Sequence, residues 1–110
     1  MNTPRFDELI HAPTRLSLVA FLAATTWADF AVLRDNVGLS DSTLSKALTT
    51  LADAGYVEIR KAFVGKRPRT SARLTTSGRT AFDQHVLALQ EIVARAGGSV
   101  VPPSRSSAQS

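Results

Sequence analysis

Between Gly38 and Gly55, apolar residues stand at Leu44, Ala47, Leu48, Leu51 and Ala52, the spacing of one buried helix face. Ser40 is placed to cap this helix, and Asp41 suits the positive end of its dipole. The opposite side carries Ser42, Thr43, Lys46, Thr49 and Thr50, with Ser45 on the flank. Immediately after Gly55 the period changes from helical to alternating. Tyr56 to Phe63 reads as a strand with Val57 and Ile59 inward and Phe63 as a candidate third. Gly65 to Pro68 reads as a turn, and Arg69 to Thr75 as the returning strand with Leu74 inward. A helix joined so closely to a hairpin has to share its core with it.

The hairpin is also where the charge lies. Between Ile59 and Phe82 the chain carries Arg60, Lys61, Lys66, Arg67, Arg69, Arg73 and Arg79, drawn from thirteen Lys and Arg in all, and no Asp or Glu. Such a block calls for a polyanionic partner. The net charge of +4 agrees, favouring nucleic acid or an anionic surface. At 110 residues the chain has room for one domain with a modest core, and 44% hydrophobic with 20% charged residues is ordinary for a globular protein. It contains no cysteine, which removes disulfides and thiolate metal sites. No apolar run reaches the length of a membrane span and Met1 to Arg5 has no signal-peptide pattern, so we expect a cytoplasmic protein.

Before the central helix, Arg5 to about Ala24 is helical in pattern and interrupted at Pro13. Leu16, Val19, Ala20 and Ala23 form one stripe, and Leu18, Phe21 and Leu22 another, so this helix is expected to face both its own core and a second subunit. Thr25 to Ala28 connects to a short helix capped by Asp29, with Phe30, Leu33 and Val37 inward and Gly38 ending it. After the hairpin, Thr75 or Thr76 caps a last helix running to about Ala96. Its stripe of Phe82, Val86, Leu89, Val93 and Ala96 keeps the spacing of a helix–helix seam. The segment 97–110 is low in complexity and is expected to be disordered.

Helix, helix, short turn, helix, hairpin, helix is the winged helix-turn-helix order. Hydroxyl side chains and a Lys on the free face of the third helix suit base edges and phosphates in a major groove, and a basic hairpin suits the flanking backbone or minor groove. The segments Asp7 to Leu16, Asp29 to Phe30, Gly38 to Ser45, Leu51 to Val57, Phe63 to Thr70 and Leu74 to Arg79 resemble those of small stand-alone winged helix transcriptional regulators akin to the MarR and ArsR groups. Ala47, where such helices often carry a polar residue, and Ala72, in place of a common aromatic, depart from the pattern.

The resemblance implies an α+β, mostly helical domain over 1–96 with a two-stranded wing and a long C-terminal dimerisation helix. It implies a homodimer with two recognition helices on a pseudo-palindromic operator of double-stranded DNA; we expect the 40–54 helix in the major groove, the 60–75 hairpin as wing, and a repressor, since no activation surface is evident. The expected DNA contacts are Ser42, Thr43, Ser45, Lys46, Thr49, Lys66, Arg67 and Arg69. The expected dimer contacts are Leu18, Phe21, Phe82, Val86, Leu89 and Val93. A small-molecule effector would find room only in a crevice between the dimer helices and the core. The alternatives are a protein-interaction module and an architectural nucleic-acid binder.

Other chemistry finds little support. Asp83 and His85 form an Asp-x-His pattern, but the positions for further metal ligands fall near Ala96 and Ser99, which cannot bind zinc. His85 is therefore expected to be interfacial or solvated, and His11 a local capping or packing residue. Trp27 is expected to pack where the second helix begins. Neither a phosphate loop nor a nucleophile motif is present, and Asp7 and Glu8 project about 100° apart on a helix, so no enzyme and no cofactor are expected.

Overall fold

The computed structural model describes residues 4–97. Its elements are α1 (Glu8–His11), α2 (Pro13–Ala23), β1 (Ala28–Asp29), α3 (Phe30–Val37), α4 (Asp41–Asp53), β2 (Val57–Val64), β3 (Arg67–Leu74) and α5 (Thr76–Arg95). Pro13 opens α2 at a position where its missing N–H costs nothing, which explains the break after α1. Gly38, at φ 76°, closes α3 in the left-handed conformation, its N–H donating to the Arg34 carbonyl. Residues 98–110, nearly all of the expected tail, lie outside the described residues.

One core joins these elements. Leu18, Val19 and Leu22 of α2, Leu33 of α3, Leu44, Ala47, Leu48 and Leu51 of α4, and Ala28, Val57 and Ala72 of the sheet are all buried in it. The face of α4 read from its periodicity is the face that is buried. Ser40 caps α4, accepting from the Thr43 N–H at 3.2 Å. Ser40→Ala is expected to cost about 1 kcal/mol, read as a lower urea midpoint with an unchanged slope. An unchanged midpoint would show that the cap is idle.

Four expectations require correction. The wing has its two expected strands, but Ala28, expected in a connection, pairs with Ala72 as Asp29 does with Ser71, adding a third strand in the order β1-β3-β2. Asp29 makes no capping bond; its carboxylate accepts from the Ser71 hydroxyl at 3.2 Å instead. The turn is only Gly65 and Lys66, with Gly65 at φ 66° as the first residue of a II′ turn must be, and Pro68 lies within β3. Strand β1 pairs only at residues 71 and 72, so at Pro68 one side of β3 is an open edge that needs no N–H. Phe63 is not inward. It is 74% exposed, because the core ends at Ile59 and the strand runs on past it.

The start of α5 is stitched to the foot of the hairpin. The Thr75 hydroxyl accepts from the Gly78 N–H at 3.0 Å and donates to the Gly55 carbonyl at 2.7 Å. The Thr75 N–H donates to the Tyr56 carbonyl at 3.0 Å. These bonds set the angle between the wing and the long helix.

Candidate nucleic-acid interface

Ser42, Thr43, Ser45, Lys46 and Thr49 are all exposed on α4, as its buried stripe requires. Ser40 Oγ donates to Thr43 Oγ1 at 2.9 Å, which leaves the Thr43 proton free to be donated outward. Asp41, the one acid in the first turn, is held by Arg34 of α3 at 3.2 Å. Asp35 first and then Asp41 keep the Arg34 guanidinium above its ordinary pKa. The acid beside the reading face is thus neutralised from behind.

The hairpin's cations divide by what they touch. Arg60 lies over the Trp27 ring at 4.1 Å and Arg73 at 5.0 Å, and Arg73 also binds Glu58 at 2.8 Å. Trp27 is thus the half-buried platform for two strand arginines. Arg79 donates to the Ala23 carbonyl at 2.8 Å, tying α5 to the end of α2. Arg69, one of the expected contacts, stands 3.8 Å from the Asp29 carboxylate and is partly neutralised. Lys66 and Arg67 at the tip are exposed and have no acidic partner among the described residues.

Lys61 completes that group and was not among the expected contacts. Strand alternation from Ile59 could have found it, since residues two apart share a face. Ser45 and Thr49 of α4 and Lys61 and Thr70 of the hairpin line one cleft of about 160 Å³. Small hydroxyl donors and acceptors thus stand on the helix face that carries Lys46 and share a cleft with Lys61, while Lys66 and Arg67 stand at the exposed tip, Arg67 on the face of the ladder opposite Lys61. Pairing of that kind suits base edges for the hydroxyls and phosphates for the cations.

The expected dimer contacts are differently placed. Leu18 is fully buried in the protomer's own core and has no surface left for a partner. Phe21 and Phe82 pack against that core and are partly buried. Val86, Leu89 and Val93 are half-buried along α5, with Ile92 beside them 47% exposed.

His85, expected at an interface or in solvent, is instead fully buried within the protomer. The Asp7 N–H donates to His85 Nδ1 at 3.0 Å, so Nε2 carries the ring proton and faces His11 Nδ1 at 3.2 Å. Phe6 closes the cluster, its ring 4.7 Å from His11 and 4.6 Å from His85. His11 is therefore a long-range partner and not a local cap. Asp7 caps α1 through the Ile10 N–H and accepts from the Tyr56 hydroxyl at 2.6 Å, which with burial pushes the Tyr56 pKa up. Burial first, and then the neighbouring His11, push the His85 pKa down against Asp7 and Glu8. Among the described residues no group of acids and histidines is arranged to hold a metal.

Residues 14–93 match the family model described as winged helix DNA-binding domain. An uncharacterized protein of Methanocaldococcus jannaschii is 25% identical over 85 residues, covering 77% of this chain and 92% of that one. The transcriptional regulator homologue of Pyrococcus horikoshii superposes with a TM-score of 0.76 at 22% identity, over 82% of this chain and 89% of that one. A MarR family regulator from Silicibacter pomeroyi superposes with a TM-score of 0.64 at 23% identity, over 90% of this chain and 66% of that one. The two solved structures share the arrangement of helices and wing, and the matched segment takes in α2 through most of α5. This chain belongs to the winged helix DNA-binding domain family.

Proposed function

We propose that the protein is a sequence-specific transcriptional regulator that binds duplex DNA as a homodimer and represses by occupying its operator in the cytoplasm. One observation carries the reading: the exposed hydroxyl face of α4 shares a cleft with Lys61, beside a hairpin whose exposed tip carries Lys66 and Arg67, and no carboxylate among the described residues neutralises these three cations. A major groove about 12 Å wide admits a helix of this kind, and Thr43 and Lys46 near its start would meet base edges. The wing would then lie along the flanking backbone. Repression by occupancy asks nothing more of the chain than these elements. The family is one of DNA-binding domains and not of enzymes.

The dimer reading is supported by the second half of α5, where Leu89, Ile92 and Val93 leave apolar surface partly open beyond the core. Two copies joined there would present two α4 helices to a pseudo-palindrome. A cleft of about 400 Å³ between Arg5, Phe6 and Tyr56 on one side and Ser77, Ala81 and Gln84 on the other gives room for a small-molecule effector. Among the described residues no helix is long and apolar enough to cross a membrane.

The test is selection of bound duplexes from a random pool, followed by titration at several salt concentrations. The expected result is a pseudo-palindromic site bound by two copies, with affinity falling steeply as salt rises. Arg67→Ala should weaken selected and random duplexes alike and lower the salt slope by about 1. Lys46→Ala or Thr43→Ala should instead relax preference at particular base pairs, by about 1–3 kcal/mol for a good contact. Equal losses on both duplexes for all three variants would remove the reading helix, and no duplex binding at low salt would remove the function.

A further inference from the structure

The tip of the wing is apolar as well as basic. Phe63 is 74% exposed and Val64 52%, the two residues that lead into the Gly65–Lys66 turn. Pro68 stands directly across the ladder from Phe63 and is exposed too. Single exposed apolar residues are common on protein surfaces and mean little. This group differs in its placement. Strand alternation puts Phe63 on the face of β2 that carries Ile59 and Lys61, the face that meets Ser45 and Thr49 of α4. Lys66 and Arg67, exposed and without acidic partners among the described residues, stand at the same tip.

An aromatic ring backed by proline and framed by free cations fits a particular feature of duplex DNA. The minor groove, about 6 Å wide, excludes a two-stranded ribbon but admits side chains from its tip, and apolar wedges inserted there partly unstack a base step and bend the helix. We propose that Phe63, backed by Pro68, enters the minor groove beside the α4 site as such a wedge, with Lys66 and Arg67 on the flanking phosphates. The proposal rests on the reading of α4 and the hairpin as a duplex-binding surface. An anionic membrane or a protein groove could also take an aromatic tip with cations. The shared face with α4 favours DNA, because the ring then points toward the molecule that α4 reads. A wedge makes the site's flanks matter through their ease of unstacking, so preference there should follow flexible pyrimidine–purine steps and not base-edge contacts.

The experiment uses the full chain and a duplex recovered by selection, carrying a fluorophore pair at its ends and 2-aminopurine at successive flanking steps. The wild-type protein is expected to shorten the end-to-end distance and to brighten 2-aminopurine at one flanking step in each half-site. Phe63→Ala should lose both signals and bind about tenfold more weakly, with the salt slope unchanged because no charge is removed. Phe63→Leu should recover much of the bend, and Arg67→Ala should keep the bend while lowering the slope. Thermal midpoints should stay level throughout, since Phe63 is outside the core. Wild-type bending and brightness in Phe63→Ala would overturn the wedge and leave the duplex-binding function standing. So would a Phe63→Ala defect seen only with anionic vesicles or with a protein partner. Absence of duplex binding by the wild type would overturn both.

Discussion

Gly78→Ala is expected to lower the thermal midpoint by roughly 10 °C or more, although alanine is the better helix former. Gly78 is a buried residue in the first turn of α5. A Cβ added there would overlap the Tyr56 carbonyl oxygen and lie 2.9 Å from both the Tyr56 carbonyl carbon and Leu74 Cδ1. The side chain of Leu74 could rotate away, but the Tyr56 carbonyl is backbone and accepts from the Thr75 N–H. It cannot move without opening the stitch between α5 and the hairpin. Helix propensity favours alanine by about 1 kcal/mol, whereas overpacking against a fixed backbone costs about 3 kcal/mol, so the clash wins by about 2 kcal/mol. Thr80→Ala, two residues on and exposed, should shift the midpoint little. A Gly78→Ala protein as stable as the wild type would show that α5 is not held tightly on the hairpin.

That contact also marks the limit of what could be read from the chain beforehand. Helix α4 was legible nearly to the residue, because its cap, its buried stripe and its terminating Gly55 are all local signals. The hairpin and the basic character of its tip were legible for the same reason. Strand β1 was not: two residues carry no alternation, and Ala28 and Asp29 become a strand only because β3 offers them partners. Leu18 was misplaced because a helix apolar on two sides does not say which side its own protomer covers. The division of the cations was hidden as well. That Arg60 and Arg73 rest on Trp27 while Lys61 turns toward α4 depends on which strand face meets which distant element.

The His85 cluster was the least legible, since its partners are separated by 74 and 78 residues, and it carries the other large expected effect. His85→Ala should cost about 2–4 kcal/mol, combining a cavity with two lost hydrogen bonds that anchor the N-terminal segment. The pH dependence follows from the proton count. The Asp7 N–H occupies Nδ1, so a second ring proton there would face a donor. Burial and His11 depress the His85 pKa, with only Asp7 and Glu8 pulling it back. Below about pH 6.5, the ordinary histidine value, the unfolded chain therefore binds a proton that the folded one resists. The cluster's contribution is complete above that pH and is lost as the pH falls through the folded-state value. Midpoints measured from pH 7.5 down to 5 should decline more steeply for the wild type than for His85→Gln, which keeps polar atoms but does not titrate. Because Asp7 also holds the Tyr56 hydroxyl at the foot of β2, hydrogen exchange should show residues 5–12 loosening in acid before the α4 core does. Parallel pH profiles for the two proteins would mean that the pair of histidines packs this segment without governing its response to protons.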